Sequence, residues 1–145
     1  MNVDWQAVGS IVSIVSALAA IGALFFVIIN IWLLNRTLSA NINSTLLQDS
    51  IEIIKYVSNR THRYDYFYNA KRLNLDDTYK IEVLCACEML ANYCNLVLVT
   101  LNTLEANERA HWQRFVQTTL AKSPQLRAFI DTYRTWYSDK LISLL

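Results

Sequence analysis

The most prominent pattern in the chain is a long run of apolar side chains near the N-terminus. Asp4 and Arg36 bracket it, and no charged residue lies between them. A helix needs roughly 20 residues to cross the hydrocarbon core of a bilayer, so the run suffices for one span but not for two spans and a turn. We therefore predict a single transmembrane helix, with residues 1–36 as a membrane anchor and residues 37–145 as a separate domain.

A cleaved signal peptide is the competing interpretation of this run. Such peptides begin with basic residues and have an apolar core of about 7–15 residues. Residues 1–4 contain no Lys or Arg, and the apolar run is longer than that core. Basic residues occur only after the run, beginning with Arg36 and Lys55, and positive charge is retained on the cytoplasmic side. We expect a single-pass protein with a cytoplasmic C-terminal domain.

Beyond Arg36 the pattern remains helical. Leu47, Ile51 and Ile54 recur at helical spacing with charged residues between them. After Gly22 the chain has no glycine, so the turns with positive φ that β-hairpins require have almost no suitable residues. The predicted fold class is all-α, with one N-terminal transmembrane helix continuing into a small cytoplasmic helical bundle.

Apolar spacing, N-cap residues and helix breakers give the helix limits. The first helix is predicted to be continuous, with a possible kink site in the Ser-, Asn- and Thr-rich segment 37–45. The third predicted helix, residues 78–101, is apolar enough to be a second membrane span. Because Glu82 and Glu88 would be costly in a bilayer, we expect this helix to be the buried centre of a bundle instead. Ser123 and Pro124 indicate an N-cap and first helical position. The predicted ranges are 4–59, 60–72, 78–101, 106–121 and 124–145.

Small residues follow one narrow face of the predicted transmembrane helix at seven-residue intervals. Small side chains let helix backbones approach closely in lipid, and an amide in the membrane gains by pairing across an interface. This small-residue stripe predicts self-association, although small residues are also common in membrane helices generally. The predicted positions are Gly9, Ser13, Ser16, Ala20, Ala23 and Asn30.

A basic and aromatic segment follows the first helix directly. Cationic side chains bind phosphates and aromatic faces stack on nucleobases, so this segment is the candidate ligand site. Core packing of the aromatics, or contact of the cations with anionic lipid headgroups, are the alternatives. Replacing Arg63 with Ala is expected to abolish binding and leave the fold intact. The candidate ligand-binding residues are Arg60, His62, Arg63, Tyr64, Tyr68, Lys71 and Arg72.

Other chemistries find little support in the sequence. The net charge of +1 does not favour a nucleic acid polymer as partner. Cys85, Cys87 and Cys94 are crowded into one apolar stretch and are expected to be free thiols, since their spacing matches no familiar zinc site. No metal-ligand motif, Gly-rich phosphate loop or nucleophile elbow is present. We expect no catalytic residue, no metal and no cofactor, and a binding role rather than an enzyme.

Five stretches of the chain form a recognisable set: Asp4–Ile11, Asn35–Leu38, Ala91–Cys94, His111-Trp112 and Ser123–Arg127. Together they resemble small single-span bacterial proteins found around phage-defence loci. Within that group, size and layout are most similar to the membrane effector of type III CRISPR systems that binds a cyclic oligoadenylate. The resemblance implies a location in the bacterial inner membrane and a multimeric cytosolic domain that binds the second messenger. It also implies a membrane part that perturbs the bilayer.

The function expected from these observations is that of an antiviral membrane effector. Its partners would be a cyclic oligoadenylate, with cyclic tetra-adenylate as the first choice, the lipid bilayer, and further copies of the chain, with a tetramer as the first choice. One alternative is a membrane anchor or regulator that docks a protein partner through an aromatic groove. The other is a membrane toxin that needs no ligand.

Overall fold

The computed structural model describes residues 5–74 and 76–145. This part of the chain is all-helical and contains no strand, which confirms the predicted fold class at that level. Two short 3₁₀ turns, Leu101–Thr103 and Arg134–Trp136, connect the later helices. The helices are α1 (Trp5–Ser58), α2 (Thr61–Tyr68), α3 (Lys80–Thr100), α4 (Ala106–Lys122), α5 (Pro124–Thr132) and α6 (Asp139–Ile142).

The contacts divide the chain into two compact units, residues 1–38 and 39–145. In the first unit every side chain from Ser13 to Leu38 is exposed, including large apolar ones such as Phe26 and Leu34. The apolar part of α1 is long enough to cross a membrane, although a signal sequence would meet the same criteria. The sequence-based boundary lies after residue 36, close to this division.

The second unit is organised around α3, which contacts α2, α4, α5 and α6. Half of the most apolar part of α3 is buried inside the protein, as expected for the centre of a bundle. Small and β-branched side chains at this centre let the neighbouring helices approach closely. The buried residues of α3 are Val83, Ala86, Cys87, Leu90, Ala91, Tyr93, Cys94, Val97 and Leu98.

Helix α5 begins as the sequence predicts. The Ser123 hydroxyl accepts a hydrogen bond from the Leu126 amide at 3.2 Å, and Pro124 occupies the first helical position. The hydroxyl satisfies one of the amides that the first turn of a helix leaves without a partner.

The single C-terminal helix predicted over residues 124–145 is wrong. Helix α5 ends at Thr132, a 3₁₀ turn follows, and α6 begins at Asp139. The break lets Tyr137 and Leu141 turn into the core, while the Ser138 amide donates to Asn95 Oδ1 on α3 at 2.9 Å. Tertiary contacts with α3 therefore outweigh the helical preference of this segment.

Candidate ligand-binding surface

The exposed aromatic feature of the candidate segment is a pair of tyrosines on α2. Tyr64 and Tyr68 are one helical turn apart, and their rings stack with centroids 4.7 Å apart and planes 28° from parallel. They are 43% and 39% exposed, so both rings contact solvent. Partial burial, together with the neighbouring Tyr64, raises the pKa of the Tyr68 hydroxyl above its usual value. The pair offers a neutral flat surface to a ligand.

Arg63 lies among the same residues but points into the protein. Its side chain is 10% exposed, and its guanidinium pairs with the Glu82 carboxylate at 3.0 Å. It also donates to the Tyr56 carbonyl oxygen at 2.8 Å and lies over the Tyr56 ring, 4.1 Å from its centroid. Arg63 therefore links α1, α2 and α3, so we expect Arg63→Ala to remove structural contacts as well as a candidate ligand contact. A buried side chain with these contacts is a structural element first.

Lys71 is held beside the buried Tyr66 in the segment after α2. Its ammonium lies 4.6 Å from the centroid of the Tyr66 ring. The Tyr66 hydroxyl donates a short hydrogen bond to Asp77. Burial, and then this bond to Asp77, raise the pKa of Tyr66, while contact with Tyr66 raises the pKa of the exposed Lys71 ammonium. The contacts fix the position of Lys71 and leave its charge accessible.

Arg60 and Arg72 flank this segment and are exposed. Arg60 is the N-cap residue of α2, and its carbonyl oxygen accepts from the amides of Arg63 and Tyr64. Neither guanidinium has an acidic partner within residues 5–74 and 76–145. The side chain of His62, also predicted to bind ligand, lies outside the described residues. We call the exposed set Arg60, Tyr64, Tyr68, Lys71 and Arg72 the α2 surface.

A cavity in the second unit extends to the edge of the α2 surface. It has a volume of about 230 Å³ and is lined by side chains of α1, α2, α3 and α4, with Tyr68 among them. Pockets for drug-sized ligands typically measure about 300–1,000 Å³. A cyclic tetra-adenylate, with its four nucleotides, therefore does not fit inside. A ligand of that size needs the open surface or an interface between copies.

A polar cluster between α1 and α4 was not predicted from the sequence. Glu108 accepts hydrogen bonds from Ser39 Oγ at 3.2 Å and from Asn43 Nδ2 at 2.7 Å. The Trp112 indole then donates to Asn43 Oδ1 at 2.8 Å, and the Glu105 amide donates to Ser39 Oγ at 3.1 Å. The segment 37–45, expected as a possible kink site, lies within α1, and two of its polar side chains, Ser39 and Asn43, bond to Glu108 of α4.

The small-residue stripe on α1 is exposed at all six predicted positions. Nothing lies within 4 Å of a Cβ built on Gly9. Ser13 Oγ donates to the Gly9 carbonyl and Asn30 Nδ2 to the Phe26 carbonyl, so both polar side chains bond to their own helix. Self-association through this face stays a prediction.

The cysteines divide into one exposed and two buried thiols. Cys85 is exposed, whereas Cys87 and Cys94 are fully buried in α3. Burial raises the pKa of each of these two thiols from 9.0 to about 12, so both stay protonated at neutral pH. Within the described part of the chain, no group of three or more His, Cys, Asp or Glu side chains is placed to hold a metal ion.

Comparisons of the chain with protein families, with curated proteins and with solved structures found no match. The resemblance to phage-defence membrane proteins, and the function that it implies, stay predictions.

Proposed function

We propose that this chain is a membrane-anchored effector whose α2 surface binds a cyclic oligoadenylate between copies of the second unit. Ligand binding then changes how the apolar part of α1 acts on the bacterial inner membrane, as part of an antiviral response. Catalysis has no role in this scheme, and the second unit lies in the cytoplasm. A tetramer is the simplest assembly for a cyclic tetra-adenylate.

The observation that carries the proposal is the exposed Tyr64–Tyr68 ring pair in the same segment as two exposed arginines that have no acidic partner within the described residues. Nucleobases stack on aromatic side chains with roughly 1–3 kcal/mol per base. Phosphates form strong hydrogen bonds with arginine, and Arg72 and Arg60 are both exposed and without an acidic partner within the described residues. Lys71 adds a third accessible positive charge.

The size of the ligand supports a site between subunits. The α2 surface of one copy offers two rings and three cations, while a cyclic tetra-adenylate carries four bases and four phosphates about a rotation axis. A symmetric oligomer presents the same few residues repeatedly to such a ring. Each subunit then needs to bind only one nucleotide.

The membrane output follows from the composition of α1. Its apolar side chains are exposed throughout residues 13–38, so they need lipid or other apolar surface around them. A ligand can shift an assembly only by binding one arrangement more tightly than another. Neighbouring copies of α1 can pack against each other through the small-residue stripe. Two states of the assembly can therefore differ in how these helices contact one another.

Calorimetry of the full chain in lipid nanodiscs tests the proposal. Cyclic tri-, tetra- and hexa-adenylate are titrated separately, and saturable binding of one of them is expected. Arg72→Gln and Tyr64→Ala should each weaken binding at least tenfold, because they remove a phosphate contact and a stacking contact. Both residues are exposed, so the substitutions do not disturb the core. Arg114→Gln removes an exposed arginine of α4 and serves as the matched control. Absence of binding by a folded, oligomeric protein at high micromolar ligand would overturn the proposal.

A groove between α1 and α3 favours the second candidate, an anchor that docks a protein partner. Met89 and Leu96 are 40% and 43% exposed there, beside Asn92 and the acidic residues Asp49 and Glu52. A partner helix with apolar and basic faces would match this lining. The anchor function is favoured if the wild-type chain binds a protein partner and no cyclic oligoadenylate, and if Met89→Lys abolishes binding of that partner.

A further inference from the structure

The cavity enclosed by α1–α4 has a lining that divides into an apolar part and a polar part. Its volume is about 230 Å³. The lining residues are Ser50, Ile53, Ile54, Val57, Phe67, Tyr68, Leu90, Tyr93, Phe115, Thr118, Thr119 and Lys122. Aliphatic and aromatic side chains form most of this lining. A ligand in the cavity must therefore present a largely apolar surface.

The volume sets the size of that apolar group. A cavity of about 150 Å³ lined by Leu, Ile and Phe binds benzene. The present cavity is larger, so it accommodates a phenyl ring with a few methylene groups, or a short branched chain. Filling it restores contacts that the lining side chains otherwise lack.

The hydroxyl groups of the lining differ in whether they already have a hydrogen-bond partner. The Ser50 and Tyr93 hydroxyls already donate to the carbonyl oxygens of Leu47 and Leu46. Thr118 and Thr119, by contrast, make no side-chain hydrogen bond within the described residues. Both belong to α4, one turn before Lys122. Two lining hydroxyls without a hydrogen bond in the described part of the chain therefore lie on the same helix as the lining's cation, and a third, that of Tyr68, lies on α2.

Lys122 is the one charged side chain of the lining, and no carboxylate accompanies it. It is exposed and has no ion pair within the described residues. The other exposed lining residues are Ile54, Tyr68 and Thr118, whereas Phe67, Leu90 and Tyr93 are buried. The cavity thus leads from a cationic, hydroxyl-bearing opening to an apolar interior.

We propose that this cavity binds a small amphiphilic carboxylate, with an aromatic or short aliphatic body inside and its anionic group paired with Lys122 and the threonine hydroxyls of α4. Such a ligand contacts α1, α2, α3 and α4 at once, so its binding stabilises the packing of α2 against the other helices. The cavity shares Tyr68 with the α2 surface, but the groups that would pair with the anion, Lys122 and the two threonines, lie on α4 and outside the proposed cyclic oligoadenylate site.

The test uses 4-(4-fluorophenyl)butyrate as the probe and fluorine NMR as the measurement. The full chain is reconstituted in nanodiscs, and empty nanodiscs give the baseline for partition into lipid. Saturable broadening above that baseline is expected. Lys122→Gln should weaken binding roughly tenfold, since it removes a charge-assisted contact. Lys55→Gln, at an exposed lysine of α1 that does not line the cavity, should leave the affinity unchanged.

A neutral probe and a filled cavity separate the two parts of the proposal. The amide of the same probe should bind wild type and Lys122→Gln equally, because it carries no anion. Thr119→Leu should reduce binding of both probes more than tenfold, because the larger side chain occupies the cavity. Near-UV circular dichroism checks that this variant is packed like the wild type. If Thr119→Leu has lost its packing, Ser50→Leu is used as the cavity-filling variant instead. Retained affinity in a folded, filled variant, or equal effects of Lys122→Gln on acid and amide, would overturn the proposal. Neither result depends on whether the chain binds a cyclic oligoadenylate.

Discussion

The two units of this chain contain similar apolar residues, but these side chains are exposed in the first unit and buried in the second. From Ser13 to Leu38, side chains such as Phe26 and Trp32 are more than half exposed. In the second unit, Trp112 and Ile130 are almost completely buried. The difference lies in the partners that the chain supplies, since residues 39–145 provide five further helices and the first unit provides one. Burial is therefore a property of the neighbourhood, and an exposed apolar helix needs a partner from outside the chain.

Alkaline pH should produce the largest difference in stability between the two units. The Cys87 and Cys94 thiols have pKa values of about 12 in the fold, against 9.0 for an ordinary thiol. The unfolded chain therefore loses these protons first, so stability is complete below pH 9 and falls as the pH rises towards 12. Each thiol accounts for about 4 kcal/mol over that range.

Urea unfolding followed by circular dichroism between pH 7 and pH 11 measures this loss. The double variant Cys87→Ala, Cys94→Ala should show a flatter dependence, whereas Cys85→Ala, at the exposed thiol, should follow wild type. Residues 5–38 contain Arg36 as their single ionisable side chain, so their helix should persist. Equal slopes for all three proteins would contradict the assignment.

A pair of tryptophan substitutions tests the comparison residue for residue. Trp112 is 2% exposed, packs edge-to-face against Tyr93 and Phe115, and donates to Asn43. Trp112→Ala should lower the free energy of unfolding by about 3–5 kcal/mol. Trp32→Ala, at a site 59% exposed, should leave the melting temperature of the second unit unchanged. Differential scanning calorimetry in nanodiscs gives both values, and similar shifts would show that the units do not differ in this way.

Two arginine–carboxylate pairs within the second unit sharpen the same contrast between buried and exposed. Arg63→Ala breaks a pair whose arginine side chain is 10% exposed and should cost about 2 kcal/mol. Arg134→Ala breaks the pair with Asp131, whose side chains are 58% and 65% exposed, and should cost less than about 0.5 kcal/mol. Chemical denaturation of the two variants under one buffer provides the measurement. If Arg134→Ala is less stable than Arg63→Ala, the result contradicts the structural role inferred for Arg63.

The remaining prediction concerns the small-residue stripe of the first unit, where a substitution on the stripe should have a smaller effect than Arg63→Ala. Ala20→Ile should weaken self-association by about 1 kcal/mol, because it separates the helix backbones on the close-approach face. Leu18→Ile, away from the stripe and 63% exposed, should have little effect. Crosslinking yield in mild detergent compares the two variants. Equal yields would remove the stripe from the account of assembly.

Local signals allowed much of the fold to be predicted. The apolar run before Arg36, the scarcity of glycine and the Ser123-Pro124 pair can each be recognised without knowing any tertiary contact. The chain also follows the prediction that α3 is the centre of the bundle, since Glu82 and Glu88 make it a poor membrane span.

The errors lie where a residue's partner is distant in sequence. Arg63 resembled a phosphate ligand because Glu82, which neutralises it, follows 19 residues later. The C-terminal helix was predicted without a break because Asn95, which holds the Ser138 amide, belongs to another helix. On the α2 surface, the sequence could identify candidate residues but could not tell inward from outward side chains within a short aromatic helix.

The polar cluster of Ser39, Asn43, Glu108 and Trp112 has a consequence for the order of events during synthesis. Its hydrogen bonds join residues that are 65–69 positions apart. At roughly 5–20 residues per second, the ribosome needs about 3–14 s after making Asn43 to supply the partners on α4. During that interval the apolar run has been made, whereas Ser39 and Asn43 lack their partners on α4. The apolar part of the first helix is therefore made before the hydrogen bonds that join Ser39 and Asn43 to α4 can form.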